Sequence, residues 1–143
     1  MSYQRGDIYY IKKCAKEIDS EQNAGRPGII VSNDKLNRTS PVVEVVYLTT
    51  KKKKPNIPTH VAINSSGAHS TALCEQITTV SVKRIEKWCG RCSEAEMDEI
   101  NKAICYSVQL PIRETLDSMK REIEVTKTQL NVLKELYIAS IKG

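Results

Sequence analysis

The chain has 143 residues, of which 40% are apolar and 27% are charged. This length and balance are typical of a single soluble globular domain and argue against two full-sized domains. The sequence contains no apolar run of the roughly 18 residues that a membrane helix needs, and the charged N-terminus lacks the apolar core of a signal peptide. We therefore expect a cytoplasmic protein that does not enter a membrane.

The net charge of +5 is concentrated in one segment of the chain. Between Lys35 and His60 the basic residues are Lys35, Arg38 and the run Lys51 to Lys54, and the single acid is Glu44. This segment carries the whole net charge, because the remaining residues balance to zero. A run of four lysines is commonly a solvated loop, but a concentrated positive patch also suits an anionic partner.

The cysteines are odd in number and widely spaced, which favours free thiols in a reducing compartment over a disulfide scaffold. They are Cys14, Cys74, Cys89, Cys92 and Cys105. Cys89 and Cys92 have the spacing of half a zinc knuckle, but no second pair follows them. Two ordinary thiols beside a turn are the simpler interpretation, with zinc or a redox pair as alternatives.

The first 92 residues contain short apolar runs separated by turn residues, which predicts a β-rich domain. The predicted strands are Asp7 to Ile11, Gly28 to Ser32, Val42 to Leu48, Thr59 to Ile63, Thr71 to Ile77 and a closing strand near Lys87 to Arg91. Their connections, including the segments that begin at Asn33 and Asn37, have the composition of loops. Strands this short and this many suggest a small barrel.

Helical periodicity begins after the last strand. Ser93 and Glu96 form a capping box, and apolar residues at helical spacing follow until Pro111, so we expect a helix that packs on the barrel. From residue 112 a heptad seam continues for nearly four repeats, which predicts a coiled-coil-like helix of roughly 45 Å. Its seam residues are Ile112, Leu116, Met119, Ile123, Thr126, Leu130, Leu133 and Tyr137. Such a helix is too long to lie wholly on a small barrel, so it is expected to meet another chain.

Five blocks in the first 110 residues occur in the order and at the spacings of one protein family. They are RGDIYY at 5–10, SEQNAGRPGIIVSND at 20–34, VVYLTT at 45–50, PTHV at 58–61 and LCEQI at 73–77. Together they resemble the MazF/PemK (Kid-like) family of type II toxin endoribonucleases. The resemblance divides the chain into a MazF/PemK-like domain at residues 1–110 and a heptad-patterned helical extension at residues 111–143.

The resemblance implies a β-rich α+β fold, a small SH3-like barrel of the MazF/PemK/CcdB type with packed helices. It also implies a homodimer that cuts single-stranded RNA at a short sequence motif, with no metal or other cofactor, and that a cognate antitoxin inhibits. The implied catalytic residues are Arg26 and Thr49, with Thr50 as a near-equivalent of Thr49. The implied RNA-binding residues are Gln22, Thr50, Lys51, Lys52, Lys53, Lys54, Glu75 and Gln76.

The implied reaction explains why an arginine and a threonine are wanted. The ribose 2′-hydroxyl attacks the adjacent phosphorus, and the products carry a 2′,3′-cyclic phosphate and a 5′-hydroxyl. A guanidinium such as that of Arg26 stabilises charge on the phosphoryl oxygens, and the hydroxyl of Thr49 can bind one of those oxygens. His60 titrates in a useful range for a general base, but its place in its block is that of a residue at the start of a strand.

Three positions depart from the family pattern. Asn23 and Ala24 stand where family members commonly have glycine, and Thr78 stands where they commonly have arginine. Two alternatives therefore stay open: a catalytically inactive RNA-binding regulator on the same fold, and a CcdB-like topoisomerase poison.

Overall fold

The computed structural model describes residues 2–14, 25–53 and 56–142, and only the backbone of residues 112–115. The chain divides into two compact units, Met1–Val108 and Gln109–Gly143. We call the first the sheet unit and the second the tail unit.

The described part of the sheet unit is built on a six-stranded antiparallel sheet. Its strands are β1 (Asp7–Ile11), β2 (Arg26–Ile30), β3 (Val42–Thr49), β4 (His60–Ile63), β5 (Ser70–Ser81) and β6 (Ile85–Arg91). Their order across the sheet is β4-β5-β3-β2-β1-β6. β2 begins two residues earlier than predicted because Arg26 pairs with Ile11 of β1. β5 extends beyond Ile77 because its second half pairs with β3 as far as Ser81.

The sheet is open, so the closed SH3-like barrel implied by the resemblance is not confirmed. In the part of the chain that is described, β4 and β6 are the two edges and do not pair with each other. The edges nevertheless approach one another through the turn that follows β4. There the carbonyl oxygen of Ser65 lies so close to Gly90 of β6 that a side chain at residue 90 would collide with it.

One face of the sheet packs against α2 (Glu94–Ser107), as predicted. The capping box is present: Ser93 accepts a hydrogen bond from the Glu96 backbone, and the Glu96 side chain accepts one from the Ser93 backbone. Ile100 and Ala103 bury one side of α2 against the sheet. The sheet residues of this core are Ile8, Ile29, Val46, Leu48, Val61, Ile63, Ala72 and Cys74, together with Cys92 just after β6.

The opposite side, which we call the second face, has a core of its own. Its buried residues are Ile11, Ile30, Val43, Val45, Tyr47 and Val80. Tyr3 and Tyr9 pack edge-to-face beside them, with ring centroids 5.3 Å apart. A 3-10 turn at Val82–Arg84 leads from β5 to β6 and places Val82 against the same core. The candidate site lies at one end of this face.

The segment after Asn33 is a short helix and not the loop that its composition predicted. This helix, α1 (Asp34–Thr39), begins at Asn33, whose side chain accepts a hydrogen bond from the Leu36 backbone at 2.9 Å. Asn37 is buried, and its amide group donates to the Ser32 carbonyl at 2.9 Å. The same asparagines that favour turns can cap a helix or satisfy a buried backbone group, which is why composition alone misled.

The tail unit contains the long helix predicted from the heptads, α3 (Ile112–Lys142). Gln109 separates it from α2 with a left-handed φ of 56°, and Pro111 cannot continue a helix from the preceding turn. No helix among the described residues is both long and apolar enough to cross a membrane.

Candidate active site

Arg26 and Thr49 lie at the same end of two neighbouring strands. β2 and β3 pair Gly28 with Tyr47 and Ile30 with Val45, and continuing this register by two residues brings Arg26 opposite Thr49. Directly opposed residues of an antiparallel pair project to the same side of a sheet. The two residues that are implied to be catalytic, 23 positions apart in the chain, therefore share the end of the second face.

The residues that pair with Arg26 and Thr49 on the outer strands form a row across this end of the sheet. Arg26 pairs with Ile11 of β1, and Thr49 pairs with Thr71 of β5. Ile11 in turn pairs with Ile85 at the start of β6. The row marks the end of the sheet at which β1 and β3 finish and β2 begins.

Thr49 is held by a turn at the end of β3. Its residue is 8% exposed, and its hydroxyl oxygen accepts a hydrogen bond from the backbone N–H of Lys51 at 3.2 Å. Because the oxygen is the acceptor in this bond, the hydroxyl hydrogen can be donated to another group, such as a phosphate oxygen. The turn also fixes the direction of the hydroxyl at the rim of the site.

Arg26 is half-buried at the start of β2, and its Nε atom is shielded from solvent. The preceding Gly25 allows close contact with Tyr10 of β1, because a Cβ at residue 25 would lie 2.5 Å from the Tyr10 hydroxyl oxygen. Pro27 pairs with Tyr10 and gives this strand start a restricted φ. A guanidinium anchored on a rigid strand in this way presents planar donors with little freedom to lose.

Thr78 lies on the second face opposite Val45, and Gln76 lies two residues before it on β5. The pairing of Val45 with Thr78 places Thr78 on the side of the sheet that carries Thr49. Gln76 lies at the irregularity where the register of β5 with β3 shifts, so this alternation does not extend to it. Both residues are half-buried. The structure therefore brings Arg26 and Thr49 to one surface and places the departure at Thr78 on the same surface.

Glu75 is exposed and paired with His60. The His60 Nε2 and Glu75 Oε1 atoms are 3.0 Å apart, and the two side chains are 13% and 38% exposed. Burial alone would raise the pKa of Glu75, but hydrogen bonds from its own backbone N–H, from His60 and from Thr59 outweigh burial and lower it. Glu75 is therefore a fixed carboxylate, and His60 at the first residue of β4 positions it.

The lysine run directly follows the turn at Thr49. Thr50, Lys51, Lys52 and Lys53 are all exposed, so three cationic side chains project from the same end of the sheet as Arg26. Such an arrangement suits a negatively charged chain that passes over Arg26 and Thr49. Gln22 and Lys54, the remaining predicted site residues, lie outside the described residues, as do Asn23 and Ala24.

The structure adds Arg84 to this surface. Its Nε and Nη2 atoms donate to the carbonyl oxygen of Lys12 at 3.0 and 2.8 Å, and Nη2 lies 3.5 Å from the Tyr47 hydroxyl oxygen. Arg84 thus joins the 3-10 turn before β6 to the end of β1 and to the tyrosine that lies beside Gly28. No motif marks Arg84 in the sequence, since its position depends on the approach of three strands.

In the described part of the chain no group of three His, Cys, Asp or Glu side chains is placed to hold a metal ion. The five cysteines are free thiols. Cys89 donates to the Lys87 carbonyl at 3.5 Å, whereas burial and the nearby Glu96 raise the pKa of Cys92 to about 12. Burial, with Glu75 beside it, likewise raises the pKa of Cys74 to about 12, so neither buried thiol is ionised at neutral pH.

The sheet unit matches a protein family along nearly its whole length. The family model described as a PemK-like, MazF-like toxin of type II toxin-antitoxin systems matches residues 4–108. The chain belongs to this toxin family. The tail unit lies beyond the matched residues.

Individual relatives of the toxin agree with this assignment. The endoribonuclease MazF of Staphylococcus saprophyticus is 37% identical over 111 residues, which cover 75% of this chain and 92% of the relative. A mycobacterial endoribonuclease solved in complex with its cognate antitoxin has a TM-score of 0.64 and 28% identity, covering 77% of this chain and 98% of the relative. Deinococcus radiodurans MazF matches in fold, with a TM-score of 0.68 at 13% identity over 77% of this chain and 99% of that one.

Proposed function

We propose that this toxin is an endoribonuclease that cleaves single-stranded RNA at a short sequence motif by attack of a ribose 2′-hydroxyl. The observation that carries the proposal is the placement of Arg26 and Thr49 on the same side of the sheet, at the basic end of the second face. The identity with a MazF endoribonuclease extends over nearly all of that relative and supports the same reaction class. Single-stranded RNA is the expected substrate because bases in a duplex cannot be splayed out and read at their edges.

Arg26 stabilises the charge that develops on the phosphoryl oxygens. In the reaction the 2′-oxygen forms a bond to phosphorus and the bond from phosphorus to the 5′-oxygen breaks. The 2′-hydroxyl loses a proton and the leaving 5′-oxygen gains one. A planar guanidinium held at a strand start can donate two parallel hydrogen bonds to the phosphoryl group throughout this change, and donors placed in advance contribute most of such catalysis.

Thr49 binds the same phosphoryl group from the adjacent strand. Its hydroxyl oxygen accepts from the Lys51 N–H and its hydrogen can be donated, so we assign the hydroxyl the role of a hydrogen-bond donor to the phosphate. With donors on two adjacent strands, the scissile phosphate is held on both sides and aligned for in-line attack.

The surrounding residues bind the RNA on either side of the cut. Lys51 to Lys54 contact phosphates and supply affinity that does not depend on sequence. Gln22 and Gln76 offer amide groups that can read base edges, and Glu75 offers a carboxylate that accepts from exocyclic amino groups. Thr50 lies at the exposed rim and contacts the backbone. In this proposal the lysines provide affinity for RNA, and Gln22, Gln76 and Glu75 select the cut site.

The same proposal includes the partners and the compartment of the toxin. A cognate antitoxin inhibits it, as expected for a type II system, and the mycobacterial relative forms a complex with its cognate antitoxin. Two copies form a homodimer, and the toxin acts in the cytoplasm, where its free thiols stay reduced. No metal or other cofactor takes part.

The test is cleavage of a long unstructured RNA by the wild-type toxin in excess EDTA, with the ends of the products mapped and analysed. We expect cuts at a recurring short motif, with 2′,3′-cyclic phosphate and 5′-hydroxyl ends, and no cuts by Arg26→Ala. Arg121→Ala serves as the matched control, since Arg121 is an exposed arginine on α3 and lies beyond the family match.

Other results would assign the toxin to a different class. RNA that is bound but not cut by the wild type would favour the inactive RNA-binding regulator. Equal cutting by wild type and Arg26→Ala would remove Arg26 from the catalytic centre. Inhibition of a topoisomerase without any cutting of RNA would favour the CcdB-like poison.

A further inference from the structure

The tail helix α3 carries an exposed apolar seam that the family match does not include. Its members, which we call the α3 seam, are Leu116, Met119, Ile123, Thr126, Leu130, Leu133 and Tyr137. The apolar members are between 50% and 68% exposed, with Leu130 and Tyr137 at the two limits. They repeat at alternating spacings of four and three residues, the a and d positions of a heptad. The apolar side chains of such a seam become buried only when a partner helix packs against them.

Thr126, the polar member of the seam, does not prevent such pairing. Its hydroxyl donates to the Glu122 carbonyl oxygen of its own helix at 2.9 Å. The hydroxyl is therefore satisfied before any partner arrives, and the methyl group of Thr126 remains to face the other helix. A buried polar group is costly mainly when it lacks a hydrogen bond, so this position tolerates burial.

The residues beside the seam distinguish one pairing from the others. The seam assigns Glu122, Gln129 and Leu136 to successive g positions and Lys127, Lys134 and Ile141 to successive e positions. In a parallel helix pair in register, each g residue faces the next e position of the partner helix. Glu122 then faces Lys127 of the second copy, Gln129 faces Lys134, and Leu136 faces Ile141. Each pair is matched in chemistry, acid with base, amide with ammonium and apolar with apolar.

An antiparallel pair of the same helices is mismatched. There e positions face e positions, so Lys120, Lys127 and Lys134 would face one another. Like charges placed together lower the stability of a helix pair and select against that orientation. Lys127 already lies 3.7 Å from Glu124 of its own helix, and a parallel partner adds the Glu122 carboxylate as a second acid for it.

We propose that α3 pairs with α3 of a second copy of this chain as a parallel, in-register coiled coil. This pairing does not depend on RNA cleavage, so it can fail or succeed separately from the proposed function. The pairing gives the toxin an interface between copies. This interface lies outside residues 4–108, which match the family model. The full chain would then be a dimer with a second point of attachment, which keeps it assembled at dilutions that separate a chain lacking the helix.

Disulfide cross-linking of the full chain tests the pairing. Met119→Cys and Leu133→Cys each place one thiol in the seam, and Thr128→Cys places one on the outer side of the helix as a control. None of the native cysteines lies on α3. A parallel pair in register brings each seam residue opposite itself, so we expect both seam variants to form symmetric disulfide dimers at least about tenfold faster than Thr128→Cys. Peptide mass spectrometry identifies the linked residues.

The results separate the possible partners. Symmetric links at both 119 and 133 support the proposal. In an antiparallel pair each d position faces an a position, so links between Met119→Cys and Tyr137→Cys in a mixture of those two variants would show that orientation and overturn the proposal. Rates no faster than that of Thr128→Cys would also overturn it and leave the seam to the toxin's own sheet unit or to a different protein, such as an antitoxin.

A charge exchange in the Leu133→Cys background tests the orientation independently. Lys127→Glu places two acids opposite each other in the parallel pair, so cross-linking should slow severalfold. Adding Glu122→Lys restores opposite charges and should return the rate to its starting value. A rate for Lys127→Glu that is unchanged or faster would contradict the proposal.

Discussion

Arg26 of β2 and Thr49 of β3 lie on the same side of the sheet, each two residues beyond the paired Gly28 and Tyr47. The register of the two strands therefore brings the backbones of Arg26 and Thr49 to the same end of the sheet. Residues on rigid neighbouring strands hold a substrate group with less loss of freedom than residues on separate loops. This arrangement is what makes the end of the second face a catalytic candidate.

The hydroxyl of Thr49 is predicted to be the part of that side chain that matters. Thr49→Val keeps the branched shape that suits a strand but removes the donor, so RNA cleavage should fall by about a hundredfold to a thousandfold, as for loss of one preorganised donor. Thr49→Ser keeps the donor and should retain most activity. Thr79→Val, on the exposed opposite side of β5 beside Glu44, is the matched control. Equal losses in Thr49→Val and Thr49→Ser would indicate a packing role for Thr49.

The lysine run is predicted to set the salt dependence of RNA binding. Each phosphate neutralised on a single strand contributes about 0.7 to the slope of log affinity against log salt, so replacing Lys51 to Lys54 by serine should flatten the slope by up to about 3. The motif that is cut should not change, because phosphate contacts carry no sequence information. Binding titrations of a non-cleaving variant such as Arg26→Ala across a salt series give the slope, and an unchanged slope would exclude the run from the RNA surface.

Thr78 is predicted to weaken the groove relative to family members that have arginine there. Thr78 is half-buried on the second face opposite Val45, so Thr78→Arg adds a cation beside the RNA path. RNA affinity should rise, and the salt slope should steepen by about 0.7. Thr79→Arg adds the same charge on the other side of the sheet and should change both quantities less. If the two variants behave alike, the second face does not carry the RNA.

Glu96 is predicted to link the stability of the sheet unit to pH. Its carboxylate accepts from Ser93 N at 3.0 Å, from Asn64 N at 2.9 Å and from the Ser65 hydroxyl, and so joins α2 to the turn after β4. Burial alone would raise the pKa of Glu96, but these hydrogen bonds outweigh burial and lower it from 4.5 to about 2. Because the folded state prefers the ionised form, the stabilisation is complete above pH 4.5 and is lost as the pH falls towards 2.

Urea unfolding at pH 7 and at pH 3 checks this. Glu96→Gln should lower the free energy of unfolding at pH 7 by about 1.5 to 3 kcal/mol, the usual contribution of a hydrogen bond to a charged group. The difference from wild type should shrink at pH 3. Glu99→Gln on the same helix breaks only an exposed ion pair with Lys102 and should change stability by less than about 0.5 kcal/mol. A loss for Glu96→Gln that is the same at both pH values would contradict the role given to its charge.

Much of the fold follows from local sequence patterns. The capping box at Ser93 predicts α2, and the heptads after Pro111 predict α3. Each of these signals is made by residues that are close together in the sequence. The strand from Asp7 to Ile11 agrees with its apolar run. The start of β2 at Arg26 and the length of β5 depend on pairing with distant strands, and no local pattern records that pairing.

Only part of the site follows from the sequence, because contacts between distant strands leave no local pattern. Arg26 and Thr49 came from blocks that resemble a known family, and the register of β2 and β3 then brought them together. The contact of His60 with Glu75 and the reach of Arg84 to Tyr47 join residues 15 and 37 positions apart, and they appear only once the strands are assembled. The helix at Asn33 was missed because a capping asparagine and a turn asparagine are the same residue.

The most direct test of the account is a double-mutant cycle on Arg26 and Thr49. Single-turnover cleavage rates would be measured for the wild type, Arg26→Ala, Thr49→Val and the double variant on one RNA that contains the cut motif. If the guanidinium and the hydroxyl act together on one phosphate, the double variant should be about as slow as the slower single variant, because removing either donor already disrupts the shared arrangement. If the two losses multiply as independent effects, the two residues do not form one catalytic centre.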